Sequence, residues 1–169
     1  VIKTEENVIT IFHERIKKKV WAFAGGKGGT GKTAIAANIG LALATFGFRV
    51  ILVDADLGGA NLHTILGIRN PRVTLSDFIT HREESLFNIL MDTPNENLKL
   101  ISGGNEIIGM ANLPYQSKMR VKKHVMNLQA DYILLDLGAG TNFNVLDFFT
   151  MTDEGIIITN PEPTAKLNG

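Results

Sequence analysis

Apolar residues along this chain fall into two rhythms. Near-continuous runs, "VWAFA" at 20–24, "RVILVD" at 49–54, "LKLIS" at 98–102, "DYILLD" at 131–136 and "GIIIT" at 155–159, leave no polar face and read as strands buried on both sides of a parallel sheet. Between them lie longer patterns of helical period. "KTAIAANIGLALATFG" at 32–47 is rich in alanine and leucine and closes on a glycine, and "QSKMRVKKHVMNLQ" at 116–129 is basic and amphipathic. Residues 74–91 and 143–152 give weaker helical patterns, while "DTPNEN" and "NPEPT" carry turn residues. Strand and helix in alternation predict an α/β fold, an open and mainly parallel sheet with helices on both faces. Residues 1–19 read as an N-terminal arm ahead of a single domain spanning 20–169. The final strand runs into a proline-rich turn with no helix after it, which reads as a domain whose C-terminal part is missing.

Composition narrows the chemistry. The 169 residues include 17 Lys plus Arg against 17 Asp plus Glu, so no global field draws the chain onto nucleic acid or an anionic membrane. Cysteine is absent, which excludes disulfides, thiolate nucleophiles and cysteine-held zinc or iron–sulfur clusters. No leader pattern opens the sequence and no apolar run is long enough to span a bilayer, so the chain reads as cytoplasmic. Lys118, Arg120, Lys122, Lys123 and His124 cluster on one expected helix, and Arg15 with Lys17 to Lys19 form a second group; both read first as solvated faces, with docking as the alternative. His13, His63, His81 and His124 have no metal-ligand spacing.

The stretch "FAGGKGGTGKT" carries the strongest chemical signal. Gly26 to Thr33 satisfies G-x-x-x-x-G-K-[ST] between a strand and a helix, the context in which backbone N–H groups form an anion nest at a helix N-terminus. Gly26, Gly28, Gly29, Thr30, Gly31, Lys32, Thr33 and Ala34 are the expected phosphate cradle, with Lys32 on the β and γ phosphates and the Thr33 hydroxyl on Mg²⁺. Asp54 and Asp136 end two buried strands and point toward that crevice, which makes them candidates for the outer shell of the metal. Asp56 remains for another task, or caps a helix in "LGGANLH"; Asp136 has a plain turn carboxylate as its bland alternative. Gly138 and Gly140 in "DLGAG" suit a turn that bonds the γ-phosphate and moves when it leaves.

In "KGGTGKT", followed in order by "DADLGGANLH", "DYILLDLGAG" and "TNPEPT", the chain resembles the deviant phosphate-loop MinD/ParA family over about residues 20–164. The "DADLG.AN" and "PEPT" forms are most similar to its MinD-like regulators of flagellar number and placement. The resemblance implies ATP as the nucleotide and a homodimer formed when ATP is bound. It also implies that Lys27 reaches the phosphates of the partner subunit in the manner of an arginine finger, where an arbitrary loop lysine would simply be solvated. Asp56 matches the aspartate that orients the attacking water, and Asn160 in "NPEPT" part of the adenine wall. Membrane or DNA association, with a peripheral position at the inner membrane face, would need segments that this chain does not contain.

Three functions compete on these grounds. The first is an ATP-hydrolysing, dimerising switch that governs the positioning or assembly of a protein partner. An ATP-dependent amidating synthetase shares the loop and fold but needs an acceptor pocket for which the sequence offers no motif. A non-hydrolysing nucleotide scaffold would have little use for Lys27, Lys32, Asp56 and Asp136 together.

Overall fold

The computed structural model describes residues 17–57, 59–69, 71–104, 113–141 and 143–160. Of the expected arm at 1–19, residues 1–16, with His13 and Arg15, lie outside the described residues, as does the "PEPT" turn at 161–164. Elements follow in the order β1 (Lys19–Gly25), α1 (Lys32–Thr45), β2 (Val50–Ala55), α2 (Leu62–Ile65), α3 (Leu75–Ile79), a 3-10 turn (Leu86–Ile89), β3 (Met91–Asp92), β4 (Leu98–Ile101), α4 (Tyr115–Asn127), β5 (Tyr132–Ala139), α5 (Phe143–Thr150) and β6 (Glu154–Ile157).

The strands form one sheet in the order β3-β4-β2-β5-β1-β6. Every pairing is parallel except that of β3 with β4, where Met91 and Asp92 lie antiparallel to Leu100 and Lys99. The five predicted strands are all present with ends shifted by a few residues; β5 continues to Ala139, well past Asp136. Alternation along the strands builds two cores. One face sends Val20, Ala22, Ile51, Val53, Ile133 and Leu135 against α3, α4 and α5, through Phe78, Val121, Val125 and Phe148. The opposite face sends Phe23, Leu52, Leu100 and Leu134 against Ala36, Ala37 and Ala44 of α1 and Leu62 of α2. Each such aliphatic or aromatic side chain contributes about 1.5–3 kcal/mol when fully buried. Helix α1 approaches closely because it is small there: a Cβ on Gly40 would lie 3.1 Å from Leu52 Cδ2.

The helix expected over 74–91 is interrupted. Thr74 and Asp77 form a capping box that starts α3. His81 then takes a left-handed φ of 61°. Arg82 N–H bonds Asp77 C=O at 2.9 Å and His81 N–H bonds Phe78 C=O at 3.2 Å, the paired hydrogen bonds of a Schellman stop. The basic face on α4 is also less solvated than its composition suggests. Lys118 is 4% exposed and donates to Asp147 of α5 at 2.6 Å. Arg120 lies 4.0 Å over the Phe78 ring and donates to the carbonyls of Phe78, Glu83 and Glu84, binding the end of α3 and the turn after it. His124 rests against Phe78 as well. Of the five residues Lys123 alone is exposed; the others are buried or half-buried.

Candidate functional site

The carboxyl ends of β1, β2, β4 and β5 meet at one edge of the sheet, where the glycine loop joins β1 to α1. Gly29 (φ 75°) and Gly31 (φ 88°) supply the left-handed turns that swing successive N–H groups inward. Gly31 occupies the N-cap of α1, and its carbonyl accepts the first helical bond from Ile35 N–H at 2.9 Å. A Cβ on Gly28, Gly29 or Gly31 would meet nothing within 4 Å, so there is open space beside the loop at these positions. Thr30 tightens the loop by donating its hydroxyl to the Lys27 carbonyl at 3.4 Å.

The two lysines of the loop have opposite settings. Lys32 is 7% exposed, its stem laid across Gly25, where a Cβ would stand 3.1 Å from Lys32 Cδ and 2.6 Å from the Ile158 carbonyl. Lys27 is exposed. Gly26 and Ala34 flank the cradle, half-buried and exposed respectively.

The Thr33 hydroxyl and the Lys32 ammonium both act on the Asp136 carboxyl, and each favours its charged form. Asp136 is the register partner of Asp54 across β5 and β2, so both carboxylates leave on the α1 face. Each is 1% exposed. Burial pushes Asp54 up to about 7, with hydrogen bonds from Leu62 and Asp56 N–H opposing and the charges of Asp136 and Asp56 adding to the rise. Burial likewise raises Asp136 to about 6, against the Thr33 hydrogen bond and the Lys32 charge. Asp136 Oδ1 is buried with no hydrogen-bond partner. An orphaned carboxylate oxygen beside a threonine hydroxyl and a phosphate cradle fits a water in the shell of Mg²⁺. Among the described residues no group of three or more His, Asp or Glu is placed to hold a metal by itself. The fit is therefore to an ion carried largely by the phosphates.

Asp54, expected in that outer shell, has both oxygens engaged by backbone. Oδ1 accepts from Asp56 N–H at 3.2 Å and Oδ2 from Leu62 N–H at 3.0 Å. It is thus Asp54, and not Asp56, that holds the start of α2. Asp56 lies just beyond β2; its Oδ1 accepts from Gly59 N–H at 3.1 Å, and a Cβ on Gly138 would sit 3.2 Å from that same oxygen. Gly140 (φ 91°) turns β5 back onto the loop, and its N–H bonds the Gly25 carbonyl at 3.0 Å. The chain after β6 comes alongside through Ile158 N–H on the Ala24 carbonyl at 2.8 Å. Half-buried Asn160 follows two residues later.

Sequence reasoning passed over the turn after β4. Ser102 is 1% exposed with a hydroxyl that has no partner. A Cβ on Gly103 would stand 2.7 Å from the Asp54 carbonyl and 3.2 Å from Asp54 Oδ1. The available signal was "SGG" directly after a buried strand, at the edge where ligands bind in such sheets.

A glycine nest feeding a helix from the carboxyl edge of a parallel sheet, with a buried lysine and a threonine–aspartate pair beside it, defines a P-loop nucleotide-binding protein. Residues 21–166 match the CobQ/CobB/MinD/ParA nucleotide binding domain. The chain belongs to that family. It is 33% identical over 150 residues to the antiactivator FleN of Pseudomonas aeruginosa, covering 87% of this chain and 52% of the relative. The flagellum site-determining protein YlxH of Helicobacter pylori is 31% identical, with 95% of this chain and 54% of the relative covered. Among solved structures, the septum site-determining protein MinD of Pyrococcus horikoshii complexed with Mg-ADP superposes with a TM-score of 0.74 at 28% identity, over 88% of this chain and 60% of that one. A chain of the MinC:MinD cell division protein complex of Aquifex aeolicus gives a TM-score of 0.71 at 31% identity, over 87% of this chain and 58% of that one. The chain spans about half the length of the curated relatives it matches. No helix among the described residues is long and apolar enough to cross a membrane.

Proposed function

We propose that this chain carries the nucleotide site of an ATP-hydrolysing switch whose ATP-bound form is a homodimer that a protein partner reads. The carrying observation is the contrast between Lys32, buried across Gly25, and Lys27, exposed on the same loop. A single site-bound lysine suffices to grip the phosphates; a second, exposed lysine on the same loop suits a phosphate bound by another molecule. The nearness of Asp56 to Gly138 adds support, because it puts a water-orienting carboxylate beside the turn expected to sense the γ-phosphate.

In this reading the N–H groups from Gly26 to Ala34 wrap the α and β phosphates, and Lys32 neutralises the β and γ oxygens. Thr33 and Asp136 would hold Mg²⁺, with Asp54 the neighbour of Asp136 across β2 and β5. The chemistry Mg²⁺ supplies when bound is neutralisation of charge on the phosphate oxygens. Asp56 orients water for in-line attack, and Lys27 of the second copy meets the charge that develops on the phosphoryl group. Gly138 and Gly140 let the turn after β5 follow the γ-phosphate, and Asn160 borders the base. Relatives named for flagellar and septal placement support a positioning or assembly role for the partner.

Sedimentation with ATP and Mg²⁺ tests the reading. Wild type is expected to dimerise, Lys27→Ala to dimerise less, and Asp56→Ala to remain dimeric longer. A monomer under every nucleotide condition overturns it.

A further inference from the structure

The short loop that joins β2 to α2 carries Asp56, and two hydrogen bonds hold that loop from below. Both end on one buried side chain. Asp54 Oδ1 takes the Asp56 N–H at 3.2 Å, and Asp54 Oδ2 takes the Leu62 N–H at 3.0 Å. The carboxylate therefore spans the loop like a staple, fixing its first and last backbone donors to the end of β2. Its own position is fixed by the bare backbone of Gly103, where a Cβ would stand 2.7 Å from the Asp54 carbonyl and 3.2 Å from Oδ1. Across the loop, the Asp56 carboxylate rests against Gly138, where a Cβ would come within 3.2 Å of its Oδ1. Two glycines at strand ends thus leave room for one carboxylate each.

We infer that Asp54 is a positioning residue for hydrolysis: it sets the backbone of the Asp56 loop, and through it the carboxylate that orients water. The inference rests on the proposed hydrolysis at Asp56. A carboxylate with one N–H on each oxygen is well matched to this duty, since two acceptors are needed and no other side chain of that size provides both. Asn at the same place is isosteric but offers one oxygen and one NH₂ group, so whichever way the amide turns, one end of the loop loses its acceptor. A metal-shell duty for Asp54 predicts a different failure, a raised demand for Mg²⁺ that excess Mg²⁺ repairs.

The test is Asp54→Asn, alone and combined with Asp56→Ala, read in two ways. Without nucleotide, hydrogen exchange at the Asp56 and Leu62 amides is expected to quicken by about tenfold or more while the core strands are unchanged. With ATP, kcat is expected to fall by about tenfold or more at saturating Mg²⁺, with the Mg²⁺ half-saturation and the KM for ATP unchanged. Asp54→Asn is expected to cost nothing further in the Asp56→Ala background, because it acts through that residue. Unchanged loop exchange overturns the inference, as does full recovery of kcat by added Mg²⁺ or a further loss in the double variant. Should Asp54→Asn not fold, Gly103→Ala displaces the same carboxylate and carries the same readouts. A wild-type protein without ATPase activity would sink the proposed function, while the exchange measurement would still decide whether Asp54 staples the loop.

Discussion

Asp54 and Asp136 face each other as register partners on adjacent strands, and burial raises the first to about 7 and the second to about 6. A carboxyl group whose pKa is raised by folding holds its proton more tightly folded than unfolded. Its stabilisation is complete below the ordinary carboxylate pKa of about 4 and is lost as pH climbs through the folded value. The nucleotide-free, Mg²⁺-free protein is therefore expected to lose thermal stability between about pH 4 and pH 7. His124, whose pKa burial and then the neighbouring Arg120 and Lys123 charges push down, works in the opposite direction as pH falls. The diagnostic quantity is the difference between wild type and Asp54→Asn, expected to change by on the order of 5 °C in Tm over that window.

Gly25 and Gly28 belong to one glycine run but should tolerate alanine very differently. At Gly25 the new methyl would overlap the Ile158 carbonyl at 2.6 Å and press the Lys32 stem at 3.1 Å. Gly25→Ala is expected to cost about 1–3 kcal/mol and to weaken nucleotide binding, because overpacking must be relieved by moving the strand end or the lysine. Gly28→Ala meets nothing within 4 Å and should leave stability within about 0.5 kcal/mol. Urea titration and nucleotide titration of the two variants check the contrast.

The Lys118–Asp147 pair joins α4 to α5 with the lysine buried and the aspartate about half exposed. Asp147→Ala leaves a buried ammonium without its carboxylate and is expected to cost about 1–3 kcal/mol, less than for a fully buried pair because Asp147 is already solvated. Lys118→Met with Asp147→Ala removes the charge as well and should recover much of that loss. Equilibrium unfolding of the single and double variants measures the difference.

Arg120 is held by three carbonyls and the face of Phe78. Arg120→Ala should cost about 2–3 kcal/mol and free the turn after α3 for hydrogen exchange. Arg120→Lys should recover little, since a single ammonium cannot reproduce the planar fork that reaches carbonyls on both sides of the turn.

How far the sequence carried these conclusions depends on the range of each interaction. Strands buried on both faces declare themselves as unbroken apolar runs, so β1, β2, β4, β5 and β6 were legible; β3 has two residues, Met91 and Asp92, and no pattern to show. The helix over 74–91 was misread because its apolar spacing continues past a stop that no glycine marks: His81 takes the left-handed position itself. The Lys32, Thr33 and Asp136 cluster was legible from local motif and strand order. The place of Asp54 at the end of β2 was legible as well, but its bond to the amide of Leu62, eight residues on, was not. Gly103 and Lys118 acquire their meaning only from β2 and α5, which sequence spacing does not reveal.

The central claim, that Lys27 acts on a nucleotide held by a second copy while Asp56 acts on its own, is tested most directly by mixing two impaired variants. Lys27→Ala supplies Asp56 and Asp56→Ala supplies Lys27, so a mixed dimer contains one site with both groups. The account predicts that phosphate release, measurable but far below wild type for either variant alone, rises in the mixture to about a quarter of the wild-type rate per site, as random pairing requires. A mixture no more active than its components would contradict it.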